Sequence, residues 1–373
     1  MKKEKKVGIM TLFNCYNYGA VLQAYATYKF IKNLGYENVE LINYENEYES
    51  KMKKTLPFIF SGNLKEIIKK FIQFVFLGKN RHLKSGFKHF CNSLIKSNKK
   101  YKNIEELTES NYDILVSGSD QIWNPVIFNA LDTSYLLDFS DKAKKISISS
   151  SAGSYKFSGS DKKNIVRCLN KYNAISVREE SLKKQLQSEI ENEIFVSTDP
   201  TLLLSHEEWI NDLKSLNRYN EQNSKYILMY IVDANLNTYS EELEILRKRL
   251  NLPIWLITPY KFKMKYIDRN IVSATPNDFI SLFDNAEFVI TNSYHGVIFS
   301  TNFKKKFIAL ENHKNPVRTK DYLNKIQISE KIIKNKKDAE TINLEDNNFE
   351  YYEKLKKIVN DTKKWIGDSF SEQ

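Results

Sequence analysis

Four short stretches of the sequence each place a chemically able side chain where an apolar run stops. In "TNSYHGVIFS" (291–300), His295 follows the apolar run "AEFVI", and Gly296 behind it allows close backbone approach. An imidazole at such a strand-to-helix turn can donate a proton or take one; otherwise it is a satisfied structural corner. In "VSGSDQIWNP" (116–125), Ser119, Asp120 and Gln121 stand directly after a buried strand. A carboxylate and an amide there can hold sugar hydroxyls or orient a base, or Asp120 caps a short helix over "QIW". In "AISVREES" (174–181), Arg178 ends a strand. Its guanidinium suits a bidentate contact to phosphate or carboxylate, or a surface ion pair with Glu179 or Glu180. In "NCYNYGAVLQ" (14–23), Asn17 and Gly19 precede a helix whose first N–H groups can face an anion. The stretch lacks the second and third glycines of a dinucleotide fingerprint, so an ordinary strand-to-helix turn stays open.

The elements that must position these residues alternate between two periods. "KVGIMTLF" (6–13), "NVELINY", "YDILVSGS" (112–119), "KKISISSSAG" (144–153), "AISVRE" (174–179) and "EIFVSTDP" (193–200) read as buried parallel strands, and "AVLQAYATYKFIKNLG" as the helix after the first. "LKSLNRYNEQNSK" (213–225) is polar enough for a linker. A second run follows: "YILMYIVD" (226–233), helix "EELEILRKRL", "PIWLITP" (253–259), helix "PNDFISLFDNA", "EFVITNS" (287–293), a helix from about Gly296 and "KFIALEN" (306–312). The expectation is an α/β chain of two doubly wound Rossmann-like lobes facing a cleft. The lobes span 1–212, with a basic helical insertion at about 50–105, and 225–345, joined by 213–224. A C-terminal helix over 346–373 packs back on the first lobe.

The length of 373 residues suits two such cores, and 41% apolar and 13% aromatic residues exclude a disordered chain. No run is long enough to span a bilayer, and the basic start lacks a cleavage pattern. Three cysteines, Cys15, Cys91 and Cys168, far apart and without metal spacing, read as reduced thiols of a cytoplasmic protein. No metal cluster is expected. His206, His82, His89 and His313 lie in amphipathic or Lys-rich surroundings and read as surface or packing residues.

The net charge of +11 is concentrated. Between Lys51 and Asn103, fourteen Lys and Arg face one acid, Glu66, and the remainder is nearly neutral. Leu64, Ile67, Ile68, Phe71, Phe74 and Val75 recur there at helical spacing beside Lys65, Lys69 and Lys70. Such a helix can lie on an anionic membrane surface at its inner face, or pack on a core with a solvated basic side. No finger spacing, RNA-binding sheet signature or basic region with heptads occurs, so nucleic acid is not an expected partner.

The ordered set "NYGAVLQAYA", "DILVSGSDQIWNP", "ISVREESL", "STDPTLLL" and "ITNSYHGVIFS" resembles the polysaccharide pyruvyl transferase family over most of the chain, from near residue 6 to about 325. The resemblance implies a GT-B-like architecture and transfer of pyruvate from phosphoenolpyruvate to sugar hydroxyls as a ketal, in surface polysaccharide biosynthesis, with no cofactor beyond the donor. The acceptor is then a nucleotide- or lipid-linked sugar. It further implies His295 as general acid/base and Asp120 acting on the acceptor hydroxyls. Arg178 and Arg318, the latter in "NPVRTKDYL", would grip the donor, with Asn17, Gly19, Ser119, Gln121, Asn292 and Ser293 lining the substrates. Many members carry an acidic pair where this chain has Ala20 and Val21, and an arginine where it has Ser293. Two other readings therefore stand: a GT-B nucleotide-sugar glycosyltransferase, or a non-catalytic carbohydrate-binding relative.

Overall fold

The computed structural model describes residues 4–46, 81–94, 99–213, 219, 225–232, 236–258, 264–312, 317–345 and 349–371. The amphipathic pattern over Leu64–Val75 and most of the polar 213–225 stretch lie outside the described residues. Two compact units divide the chain: one holds residues up to Leu203 other than 70–87, together with the last helix from Lys357 on, and the other holds 70–87 and Leu204–Lys356.

The first unit is built on a six-stranded parallel sheet. Its strands are β1 (Lys6–Met10), β2 (Asn38–Leu41), β5 (Ile114–Ser117), β6 (Lys144–Ser150), β7 (Ala174–Val177) and β8 (Ile194–Val196), in the order β2-β1-β5-β6-β7-β8. A separate parallel pair joins β3 (Asn43–Tyr44) to β4 (Lys100–Tyr101). The near-continuous apolar runs of the sequence are explained by burial on both faces, since every residue of β5 is buried. One core cluster gathers Met10, Leu115, Trp123, Tyr135 and Ile175. Helix Tyr18–Asn33 follows β1, and Asn17 caps it by accepting from the Ala20 N–H at 3.3 Å.

The second unit repeats the plan with β9 (Ile227–Tyr230), β10 (Ile254–Ile257), β11 (Arg269–Ile271), β12 (Phe288–Thr291), β13 (Lys306–Leu310) and β14 (Ile332–Ile333), all parallel, in the order β11-β10-β9-β12-β13-β14. Its own core cluster includes Ile227, Met229, Leu256, Ile290 and Ile308. Helix Pro276–Asn285 starts from a complete capping box, Thr275 with Asp278, and carries Pro276 in its first turn.

The α/β class expected from the sequence is borne out, and so is the return of the C-terminal helix. Within Tyr351–Ser371, Trp365 stacks on Phe195 with ring centroids 5.2 Å apart, the Thr198 N–H donates to Thr362 Oγ1 at 3.2 Å, and the Tyr36 hydroxyl donates to the Phe370 carbonyl at 3.1 Å. Three details differ. The helix after β12 begins at Tyr294, two residues before Gly296, so His295 lies inside its first turn. No helix forms over "QIW"; the short helix is Pro125–Phe128, capped by Asn124 through the Val126 N–H at 3.1 Å, so Asp120 is not a cap. Strands β11 and β14 close the second sheet, their three and two residues being too short to show a period. Among the described residues no helix is long and apolar enough to cross a membrane.

Candidate active site

The strand order reverses direction once in each sheet. In the first, the chain leaves β1 toward β2 and returns on the other side of β1 with β5; in the second, β9 and β12 stand in the same relation. Ligands of open parallel sheets bind outside the carboxyl ends of the strands at such a reversal. The loops after β1 and β5 carry Asn17 and Asp120, and the first helical turn after β12 carries His295.

In the first unit the two reversal loops are locked together. Thr11 Oγ1 donates to the Ser119 carbonyl at 2.9 Å, and Gln23 Nε2 donates to Thr11 Oγ1 at 2.8 Å. Any Cβ at Gly118 would come within 2.7 Å of Thr11 Cβ, so only glycine lets the strand end pass there. The next residues turn sharply: Asp120 adopts φ 76°, a left-handed conformation that aspartate tolerates better than most residues, and bridges in parallel to Ser150. A register shift in β6 between Ser147 and Ser150 accompanies a second left-handed residue, Ser149 at φ 52°. It turns Ser149 Oγ toward Ser197 Oγ at 2.8 Å and the Thr198 carbonyl.

Arg178, whose side chain is only 2% exposed, lies in the middle of this strand-end row. Its Nη2 donates to Ser119 Oγ and lies 2.9 Å from Asp199 Oδ2, while Nη1 is 3.9 Å from Asp120 Oδ1. The sequence reading offered Glu179 or Glu180 as ion partners; the partners shown are Asp199 and Asp120. Glu179 instead accepts from Ser151 Oγ at 2.5 Å. Asp199 is fully buried, and its Oδ1 also receives the Thr201 N–H at 2.9 Å. Sequence reasoning missed Asp199, although "STDP" places a carboxylate directly after β8 in the same row of strand ends as Asp120 and Arg178. Gln121 is half-buried and accepts from Asn124 Nδ2 at 3.0 Å. Gly19 lies buried in the first turn of its helix, with Ala20 and Val21 buried behind it.

In the second unit, Asn292 is a bracket. Its Oδ1 accepts the Val232 N–H at 2.9 Å, its Nδ2 donates to the Tyr239 hydroxyl at 3.3 Å, and its carbonyl accepts from Asn312 Nδ2 at 3.2 Å. Ser293 occupies the N-cap position of helix Tyr294–Asn302 without a side-chain cap bond. Gly296 is forced: a Cβ there would lie 2.1 Å from Thr291 Oγ1. The buried His295 ring meets Tyr294 edge-on at 5.4 Å, and the Arg318 guanidinium lies 5.4 Å from the Tyr294 ring centroid. Tyr294 thus links two residues 23 positions apart, a role with no signal in the sequence beyond its place in "TNSYHG". Burial pushes the neighbouring Tyr230 phenol up, against a hydrogen bond from Ser293.

The two clusters differ in electrostatic character. The first places one arginine between two aspartate side chains; the second offers an arginine, an imidazole and a helix N-terminus, which carries a partial positive charge. Among the described residues no group of His, Cys, Asp and Glu is placed to hold a metal ion.

No curated protein matches the chain. The solved UDP-GlcNAc 2-epimerase of Neisseria meningitidis, bound to UDP-GlcNAc, is similar over 98% of this chain and 99% of that one, at 10% identity and a TM-score of 0.52, which bears out the GT-B-like class expected. The UDP-GlcNAc 2-epimerase of Methanocaldococcus jannaschii matches at 15% identity over 95% and 98%, with a TM-score of 0.49. The family model for polysaccharide pyruvyl transferases matches residues 17–314, a span that contains Asp120, Arg178, Asp199 and His295 and ends before Arg318. The chain belongs to the polysaccharide pyruvyl transferase family.

Proposed function

We propose that the protein transfers pyruvate from phosphoenolpyruvate to two hydroxyls of a sugar acceptor, forming a ketal and releasing phosphate. The observation that carries this reading is the contrast in charge between the two clusters. The donor brings a carboxylate and a phosphate, and both are drawn to an arginine and a helix N-terminus of the kind that Arg318 and Tyr294–Asn302 provide. The acceptor brings hydroxyl protons that must leave, and carboxylates suit that task.

In the reaction His295 gives a proton to the enol methylene, and an oxocarbenium-like centre forms at the adjacent carbon. One sugar hydroxyl adds there, passing its proton to Asp120; the second adds as the C–O bond to phosphate breaks, its proton returning to His295, and the proton on Asp120 leaves with the departing phosphate. Arg178 is held between Asp199 and Asp120, so its charge is answered inside the protein. Its part is to fix the orientation of Asp120, and the donor anion falls to Arg318. Asn17, Asn292 and Ser293 shape the turns that present these groups, and Ser119 and Gln121 line the Asp120 turn. The acceptor sugar is nucleotide- or lipid-linked, at the inner face of the membrane, and no cofactor enters the chemistry.

The test is thermal unfolding with phosphoenolpyruvate, followed by phosphate release with candidate acceptors. A ligand at about 100 times its Kd adds about 2.7 kcal/mol. The expected outcome is a clear upward shift that Arg318→Ala removes and His295→Ala keeps, with turnover lost in both. Absence of a shift with phosphoenolpyruvate, or full turnover in His295→Ala, overturns the proposal.

A further inference from the structure

A second polar site lies at the opposite end of the first sheet. Lys145, the second residue of β6, is 2% exposed, and its ammonium has no hydrogen-bond partner among the described residues. It lines a pocket of about 460 Å³ together with Lys5, Lys142, Lys144 and Lys171, and with Asp113, Asp141 and Asn173. Seven-residue β6 starts at this pocket and ends at Ser150, beside Asp120. At about 3.3 Å per residue the two ends of the strand are separated by about 20 Å.

Five lysines face two aspartates in this wall, and the aspartates are already engaged. Asp113 Oδ2 accepts the Lys6 N–H at 2.7 Å, and Asp141 pairs with Lys171 at 3.0 Å. Asp138, just behind, is taken up by Arg167 at 2.7 Å and Lys171 at 3.4 Å. A cation without a partner in a buried strand is expensive, and an aliphatic residue at position 145 would fill the same core at no such cost. A lysine here makes physical sense if a negative charge from outside completes it.

We propose that this pocket binds a small phosphate-bearing anion, with Lys145 as its innermost ligand and Lys5, Lys142 and Lys144 at its rim. Pocket size favours a phosphate monoester over bare phosphate, because cavities for small molecules begin at about 300 Å³. The site does not depend on the reaction above, since none of its residues belongs to either strand-end cluster. Burial, followed by the nearby Lys171, pulls the Lys145 amine below its usual range, against Asp141, Asp138 and Cys168. A bound phosphate acts in the opposite direction and favours the charged amine.

Calorimetric titration of the whole protein with inorganic phosphate and with glycerol 3-phosphate tests the proposal. The expected result is saturable binding, weakened about tenfold or more in Lys145→Met and unchanged in Arg318→Ala. Tighter binding of the monoester identifies an organic phosphate as occupant, and equal binding identifies free phosphate. Equal affinity in wild type and a natively folded Lys145→Met overturns the site. So does loss of binding in Arg318→Ala alone, or absence of binding of both probes in the millimolar range.

Discussion

Replacing Asp199 by asparagine isolates one charge in the buried row. The amide oxygen of the new side chain can still receive the Thr201 N–H and hydroxyl, which Asp199 Oδ1 now accepts at 2.9 and 2.7 Å, so the turn after β8 is preserved. What disappears is the carboxylate charge 2.9 Å from Arg178 Nη2, at a position with 0% side-chain exposure. Removing one partner of a buried pair costs about 3–5 kcal/mol. Asp120 at 3.9 Å still answers part of the charge, so the expected loss is near the lower end, about 3 kcal/mol. For a unit of this size that corresponds to a fall in Tm of about 6–12 °C. Arg178→Met should be similarly costly, and the neutral Arg178→Met/Asp199→Asn pair should be closer to wild type than the sum of the two. Urea unfolding of the four proteins measures all these terms. A loss under about 1 kcal/mol for Asp199→Asn, the range of an exposed pair, or simple additivity in the double variant, would refute the claim that the pair is a buried unit.

Gly296→Ala should lower stability by about 1–3 kcal/mol, because the new Cβ meets Thr291 Oγ1 at 2.1 Å. Thr291→Ala in the same chain should return part of that loss in thermal unfolding, and no recovery would mean that the cost arises elsewhere. Burial pushes the Cys168 thiol up to about 11. Its stabilising contribution is therefore complete below the unfolded thiol's value of about 8.5. It is lost as pH rises toward about 11. Cys168→Val should flatten the alkaline limb of a stability profile, and an unchanged limb contradicts the assignment. At pH 8 the half-buried Cys15 should react with a thiol reagent well before the buried Cys91 and Cys168, as a timed labelling experiment would show.

The doubly wound plan was legible because buried parallel strands are apolar throughout, as in "ILVS" and "FVIT", and because helices with Asn17 or the Thr275 box announce their own starts. The alternation of strand and helix put the motif stretches at strand ends, while the places where strand order reverses came only from the pairing of the strands. What the sequence could not show was partnership across the sheet. Arg178 has glutamates beside it in the chain, yet it turns to Asp199 and Asp120, because a strand-end side chain faces its neighbours in the sheet before its neighbours in sequence. Asp120 looked like a cap since its left-handed backbone depends on the bridge to Ser150, 30 residues away. The edge strands β11 and β14 had no period to read, being recruited by the pairing of their inner neighbours.

The serines at the ends of β5 to β8 have a consequence for how charge can exist there at all. Ser117, Ser119, Ser147, Ser149, Ser150, Ser151, Ser176 and Ser197 are all buried, and several bridge adjacent strands through their hydroxyls. A hydroxyl is a small dipole on a single rotatable bond, able to point its hydrogen or its lone pairs at a neighbour. A row of them behaves as a solid-state substitute for water, with a locally raised dielectric response around Arg178, Asp120 and Asp199. In the reaction proposed above, a change of charge at Asp120 would be met by rotation of these hydroxyls. Alanine in place of these serines would leave the shape nearly intact and take away that response one dipole at a time.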